Sequence, residues 1–434
     1  MRVGFAIVFF AATVVFSAYA VSAGDDPTLI YSRDELSNIS VSGDYALASD
    51  IFLTGEWTPI AVFRGSFDGA GFEIRGATSA IFAKLDGAEI RGLTLCDAKI
   101  YVGGEIKRSE FAAGLLANEV TGGIIENIEV YGVEIFAAAV DAGNGTVGGL
   151  VGAVRDADIK NIRMYDVRIS ETSRAAEAND SPKGERGCAP LRAVGGLAGI
   201  LQNCTVEDAI VLNAEIGADA LASGGFVGIV RGNAVFEDCH VAADMYANVS
   251  GGGIYGGFAG RTDGNSSSVG AEFTRCRATG SIQATTAGGF VGLLSGRSRI
   301  IHSHANSTVF ANNAGGFAGE ITNASRIEFS SATSAVFGAE NAGGFVGIIS
   351  DTDAPNTITN SLALGSVVSS ESGTARRFAA RLDHDGINNC YAALGMTIIR
   401  GNNLAHAIPN PFSADGGDIA LSRIYKYIAN PGDG

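Results

Sequence analysis

AGGFVGLL at Ala287–Leu294 is followed by AGGFAGEI at Ala314–Ile321 and AGGFVGII at Ala342–Ile349. The copies start 27 and 28 residues apart. A period in this range signals stacked repeats more strongly than any local helix or strand pattern does. Shorter copies extend it toward the N-terminus: GGFAG at Gly256–Gly260, GGFVG at Gly224–Gly228, GGLAG at Gly195–Gly199 and GGLVG at Gly148–Gly152. A degenerate copy, AAGLLA, stands at Ala112–Ala117.

A second short motif follows each copy: an apolar residue, two variable residues, then Cys, Ser or an aliphatic. Its first column reads Ile90, Ile125, Ile159, Leu201, Phe236, Phe273, Ile300, Ile327, Ile358 and Ile387. Three residues later the column reads Leu93, Ile128, Ile162, Cys204, Cys239, Cys276, Ser303, Ser330, Ser361 and Cys390. A further apolar residue follows six or seven residues on, as in Ile135, Ile169, Ile282, Val309, Val336 and Val367.

Such a unit is too short and too glycine-rich for the helix pairs of ankyrin or tetratricopeptide repeats. Two or three strands rising about 3.3 Å per residue fit it. Stacked coils place equivalent residues about 4.8 Å apart and bury one continuous core that a single coil cannot make. The expected fold is all-β: a single-stranded parallel β-helix, or β-solenoid, with ten readable coils and an N-terminal cap. The crossover rule for parallel strands makes it right-handed. Cys204, Cys239 and Cys276 read as one inward column on successive coils.

Composition sets outer bounds. The chain has 434 residues, 46% of them hydrophobic, which is ample for a large core. Its 60 glycines are roughly twice normal usage. Paired glycines supply tight corners, positive φ or close backbone approach. Neither GxxxxGK[ST] nor a strand–GxGxxG–helix unit is present, so no nucleotide site is assigned. A formal net charge of −16 with no basic stripe argues against nucleic acid and anionic membrane as partners.

Residues 1–20 form an export signal, with an alternative cleavage point after residue 23. No integral membrane segment is expected after cleavage. Residues 28–76 read as an N-terminal capping module, with Ser32 and Glu35 set for a capping box and a strand–turn–strand at Phe67–Ile74. Residues 77–401 form the solenoid. Its regular spacing is interrupted at 170–192 by a polar insertion containing Cys188, the first candidate for a binding loop. Shorter excursions lie at Gly143–Thr146, Asn248–Gly253, Arg261–Val269 and Ser350–Asn356. RRFAARL at Arg376–Leu382 takes the place of a GGFVG copy. Residues 402–434 are an irregular tail with a short helix at Ile419–Ile428.

Little catalytic chemistry is legible. Of five histidines, His302 and His304 form the close pair, and alternation turns both outward. There is no HExxH and no nucleophile elbow. Asp156 and Asp158 alternate onto one face beside Arg155, and Asp351 and Asp353 form a similar pair. General acid/base work on a glycosidic bond needs two carboxyls about 5–9 Å apart. Among 46 acidic residues such pairs arise freely. Six cysteines with export permit disulfides without specifying them, and CxxC is absent. No catalytic, cofactor-binding or metal-binding residue is assigned, and no cofactor.

In these motifs the chain resembles the GLUG-motif repeat proteins, a group of secreted bacterial β-solenoids whose type motif is GGLVGY followed by IxNCYAxG. Here the motif stands as GGLVGA at Gly148–Ala153, GGFVGI at Gly224–Ile229 and INNCYAALG at Ile387–Gly395. The N-terminal part also matches: YSRDELSNI at Tyr31–Ile39, GDYALASDIFL at Gly43–Leu53, WTPI at Trp57–Ile60 and FRGSFDGAGFEIRG at Phe63–Gly76. Such repeats occur in adhesin-like surface proteins and beside the catalytic domain of some immunoglobulin-cleaving metallopeptidases. The resemblance implies a scaffold and an extracytoplasmic address, with no catalytic residues. Peptidase activity does not carry over, because no metallopeptidase motif is present.

The expected function is a non-catalytic secreted or cell-surface structural or adhesive module that presents loops to an extracellular protein or glycan. Two alternatives stand beside it. One is a polysaccharide-acting β-helix enzyme, a lyase or hydrolase, recognisable by Asp, Arg or Lys converging in a groove. The other is a self-assembling subunit of a secreted structure.

Overall fold

The computed structural model describes residues 26–102, 111–137, 145–171, 191–247, 253–264, 269–350, 355–383 and 386–420. The export signal at 1–20 lies outside them, as do 172–190 of the insertion and Asp351 and Asp353. One unit shows the plan. Arg299–Ile301 is a short strand, His304–Gly315 a long bent one and Ala318–Ile321 a third; Arg326–Glu328 opens the next unit. Each strand pairs in parallel with its counterparts before and after. Ile300 pairs with Phe273 and Ile327, and Val309 with Ile282 and Val336. Among the described residues, the strands that follow the glycine motif form a ten-stranded parallel sheet from Phe82–Asp86 to Ala379–Leu382. The others join a second, larger sheet. The fold is a stack of parallel strands in a repeating, solenoid-like pattern.

Inward side chains form ladders. One runs Ile90, Ile125, Ile159, Val206, Phe236, Phe273, Ile300, Ile327, Ile358, Ile387. It corrects the sequence alignment at one place. Val206 takes the rung expected for Leu201, which instead sits in the ten-stranded sheet between Val154 and Val230. Cys204 therefore leaves the column of Cys239 and Cys276. Its carbonyl accepts from Val235, and the neighbouring Thr205 donates to Ala157, one corner earlier. The cause is that both corners follow the same rule, a left-handed residue before a small one. Asn203 (φ 53°) precedes Cys204, and Asp208 (φ 49°) precedes Ala209. A smaller offset puts Val368, not Val367, beside Val336.

The second corner explains why small polar residues recur. Its left-handed position is held by Asn127, Asn161, Asp208, Asp238, Arg275, His302, Phe329, Asn360 and Asn389. The next residue points inward and closes the turn. Ser303 and Ser330 donate to the carbonyls of Ile301 (3.0 Å) and Glu328 (2.9 Å). The same hydroxyls accept from the N–H groups of Cys276 (3.2 Å) and Ser303 (3.2 Å) in the preceding coil. The thiols of Cys239 and Cys276 donate likewise to Glu237 (3.3 Å) and Thr274 (3.5 Å). A buried polar group left open costs about 1–3 kcal/mol, so a hydroxyl or thiol suits this rung better than a methyl.

Paired glycines make the third corner by close approach. A Cβ on Gly315 would lie 1.8 Å from the Ala318 carbonyl oxygen, and one on Gly316 would lie 2.1 Å from that of Gly344 in the next coil. Neither glycine has positive φ, so space and not dihedral freedom selects them. The following aromatic is fully buried. Phe226, Phe258, Phe290, Phe317, Phe345 and Phe378 stack with centroids 4.6–5.0 Å apart. Phe378 of the RRFAARL segment is thus a true rung. Arg377, 3% exposed, replaces the second glycine there. It pairs with Asp418 at 2.5 Å and donates to the Gly416 carbonyl.

At the N-terminal end, Arg33–Ser37 is a helix whose cap Ser32 accepts from the Glu35 N–H, while Glu35 accepts from that of Tyr31. Ser66–Asp68 and Glu73–Arg75 are not a hairpin: both pair in parallel with Glu89–Val102, so the turn between them is a coil corner. Gly145–Thr146 and Arg261–Asp263, expected in excursions, are strand. Ile419 ends a strand, Gly417–Ile419, where a helix start was expected; 421–434 lie outside the described residues.

Two outcomes follow for stability. Replacing Phe290, Phe317 or Phe345 by Ala should cost about 3–5 kcal/mol in denaturant unfolding; less than about 1 kcal/mol at all three would contradict the stack. Ser330→Ala should cost about 1–3 kcal/mol, with Ser330→Cys recovering much of the loss because a thiol already serves this position at Cys276.

Candidate binding grooves

Of the residues singled out in the sequence, Asp156, Asp158, His302 and His304 lie among the described residues. Asp156 adopts φ 54°, and the buried Ala157 separates it from the half-buried Asp158. Its carboxylate accepts from Asn203 Nδ2 at 2.9 Å, while Asp158 opens the strand Asp158–Glu171. His302 is exposed and stacks on Phe329 at 5.2 Å. His304 is half-buried on the outward face of its strand, between the inward Ser303 and Ala305, with Nδ1 2.9 Å from the Ser331 hydroxyl. Burial and the nearby Arg277 hold its pKa below the usual imidazole value. Cys96, Cys204, Cys239, Cys276 and Cys390 are buried free thiols. Burial raises Cys96, Cys204, Cys276 and Cys390 above the ordinary thiol range, Cys390 to about 12, which leaves them poor nucleophiles. Among the described residues no three His, Cys, Asp or Glu side chains group as a metal site.

The outer surface is more distinctive. At each glycine corner the chain folds back so tightly that the outward faces of the two flanking strands confront each other. A Cβ on Gly199 would lie 3.1 Å from Thr146 Cβ, and one on Gly292 would lie 2.7 Å from Ile254 Cγ2. The result is a re-entrant groove outside the core. In mid-length it is filled by Ala193, Ile200, Ala222 and Ile229, a buried apolar cluster separate from the main core. Toward the N-terminus the lining opens into a space of about 410 Å³. There one wall carries Thr146 and Arg192, and the other carries Lys84, Glu119, Thr121, Arg155, Gln202 and Arg231.

These residues share a place in the repeat that the sequence reading passed over. Arg155, Gln202, Arg231 and Asp263 each stand seven residues after the first glycine of a motif copy. They pair as Arg155–Gln202, Gln202–Arg231 and Arg231–Asp263 on successive coils. The absence of a basic stripe inferred from the sequence is thus corrected locally: the cations are dispersed along the chain and gathered by stacking.

A second groove, of about 260 Å³, lies on the bend of the long strands. Phe310 and Phe337 stack in it at 4.9 Å, among Gln283, Asn312, Ser369 and Glu371. The same outward column holds the stacked Tyr101 and Phe136 (5.0 Å), with Lys99 over both rings. Beside it runs a satisfied charge ladder: Lys99–Glu134 (3.8 Å), Glu134–Arg168 (3.4 Å), Arg168–Glu215 (3.0 Å) and Glu215–Tyr246 (2.9 Å). Exposed pairs of this kind add little stability.

Farther along the re-entrant corner, Glu320 is half-buried between Leu293 and Ile348. Burial raises its carboxyl above the usual range, against the Ser350 hydroxyl and Arg381 that lower it; Asp383 adds to the rise. A folded pKa above the unfolded one means that its stabilising contribution is present at acid pH and lost as pH rises through the folded value. Glu320→Gln should therefore raise the melting temperature at neutral pH. The gain should vanish below the ordinary carboxylate range, and an equal gain at all pH values would contradict this account.

No protein-family profile matches the chain, and no curated protein does. Two solved structures are among those similar to it. One is a Bacteroides ovatus protein provisionally named an immunoglobulin A1 protease, 14% identical, covering 94% of this chain and 88% of that one, with a TM-score of 0.30. The other is an IgA1 protease, 16% identical, covering 93% of this chain, with a TM-score of 0.37. The chain spans 24% of the length of the latter. Likenesses this distant bear on neither activity nor partner.

Proposed function

We propose that this protein is a non-catalytic extracytoplasmic structural or adhesive module. It would be a right-handed solenoid of the GLUG-repeat kind, as long as its ten-stranded sheet, holding an extracellular protein or glycan against its outer faces. The observation that carries this reading is the re-entrant groove. Stacking converts dispersed polar residues into a continuous lining there, while the inward hydroxyls of Ser303 and Ser330 are taken up by corner bonding. No helix among the described residues is long and apolar enough to cross a membrane.

One observation favours a second reading. Lys84, Arg155, Arg192 and Arg231 converge with Glu119 in one groove, the arrangement that would mark a polysaccharide-acting enzyme. A single experiment separates the two. The purified protein is incubated with a panel of polysaccharides, host glycans and extracellular proteins, and both retention and chain length are followed. The expected outcome is retention of at least one partner without cleavage. New chain ends that disappear in Glu119→Gln or Arg155→Gln would select the enzyme instead. No retention of any partner would defeat the adhesive reading.

A further inference from the structure

We infer that the open end of the re-entrant groove is a subsite for an acidic glycan whose carboxylate or sulfate groups recur along the chain. This rests on the binding-module reading and adds a ligand class to it. Among the described residues the lining brings Lys84, Arg155, Arg192 and Arg231 together with the carboxylate of Glu119. In a chain with a net charge of −16 this is a local inversion of field, and a walled groove concentrates such a field.

The geometry is periodic. Arg155, Gln202 and Arg231 occupy paired positions on three successive coils, so the two guanidinium-bearing residues start about 10 Å apart along the stack. The positive segment is also bounded. On the N-terminal side Asp86 of the same column pairs with Arg64 at 2.7 Å. On the C-terminal side Asp263 pairs with Arg231 at 3.1 Å and Arg261 at 2.9 Å. Arg231 is thereby held in place. Arg155 is exposed and makes no ion pair with a described residue, so its fork of donors faces the groove uncommitted.

The rest of the lining selects among anions. Guanidinium forks bind carboxylate and sulfate oxygens in pairs. Thr121, Thr146 and Gln202 add hydroxyl and amide groups between the charges, which suits a ligand that carries its own hydroxyls between its acids. A duplex nucleic acid, with one charge per about 1.7 Å, is too densely charged for a short basic segment inside an acidic surface. An extended polymer with spaced charges meets only the positive stretch.

The test uses the full mature chain and three immobilised probes: polygalacturonate, dextran sulfate and uncharged dextran. Retention is expected on an anionic probe and not on dextran, weakening with added salt. The anionic probe that retains it assigns the ligand charge to carboxylate or sulfate. Arg155→Glu and Gln202→Glu should each weaken retention at least tenfold, and Arg155→Lys should keep part of it. Arg326→Glu, the same charge change at an exposed position on another face, should have no effect. Circular dichroism and melting curves confirm that each variant folds. The inference is overturned if neither anionic probe retains the wild type, or if Arg155→Glu and Arg326→Glu behave alike. Retention of a protein or neutral glycan in the wider panel would then leave the module reading standing, whereas no retention of any kind would remove both.

Discussion

Backbone touches backbone at the glycine vertex of the coils that carry the paired motif, and most of the architecture follows from that contact. The glycine pair removes the two Cβ atoms that would strike carbonyl oxygens, one in the same coil and one in the next. With the backbones that close, the next side chain has one direction open, into the core. Phe226, Phe258, Phe290, Phe317, Phe345 and Phe378 therefore align as one stack. The same fold-back turns two outward faces toward each other, so core ladder and external groove are two sides of one steric fact.

The period, the motif copies and the Phe and Ile columns made the solenoid legible in the sequence, because stacking places like beside like. The failures were of a different kind. LQNC at Leu201–Cys204 fits a second-corner motif because two corners of the coil share the rule of a left-handed residue before a small one. Only the hydrogen bonds of Thr205 and Val235 tell them apart. The groove was illegible for another reason. Lys84, Arg155, Arg192 and Arg231 are far apart in the chain, and the quantity that joins them is lateral register across coils, which a window along the sequence does not sample. The outward position seven residues after the first glycine was the available signal.

Inside and outside therefore divide the polar chemistry between them. Ser303, Ser330 and Ser361 spend both donor and acceptor capacity on their corners, and the Cys276 and Cys390 thiols donate at the same corner with raised pKa values. Groups engaged in this way are structural. The outward Arg–Glu ladder of the long strands is likewise closed on itself. Arg155 differs from both sets, being neither buried in a corner nor matched by a carboxylate on the next coil.

The stacked phenylalanines carry a consequence for how the chain finds its fold. Rungs this alike are nearly interchangeable, so a segment arriving one coil out of step still meets a Phe, an Ile and a Ser. A chain misthreaded by a whole coil then lies close in energy to the native one and competes with it. What distinguishes the native threading are the irregular rungs: Tyr255 bonded to Ala218, the edge-on Phe236 and Phe273 between the stacked rings, and Arg377 against Asp418 at one end. These departures from the consensus act as addresses. A version of the chain idealised to identical coils would gain regularity and lose the information that tells each coil its number.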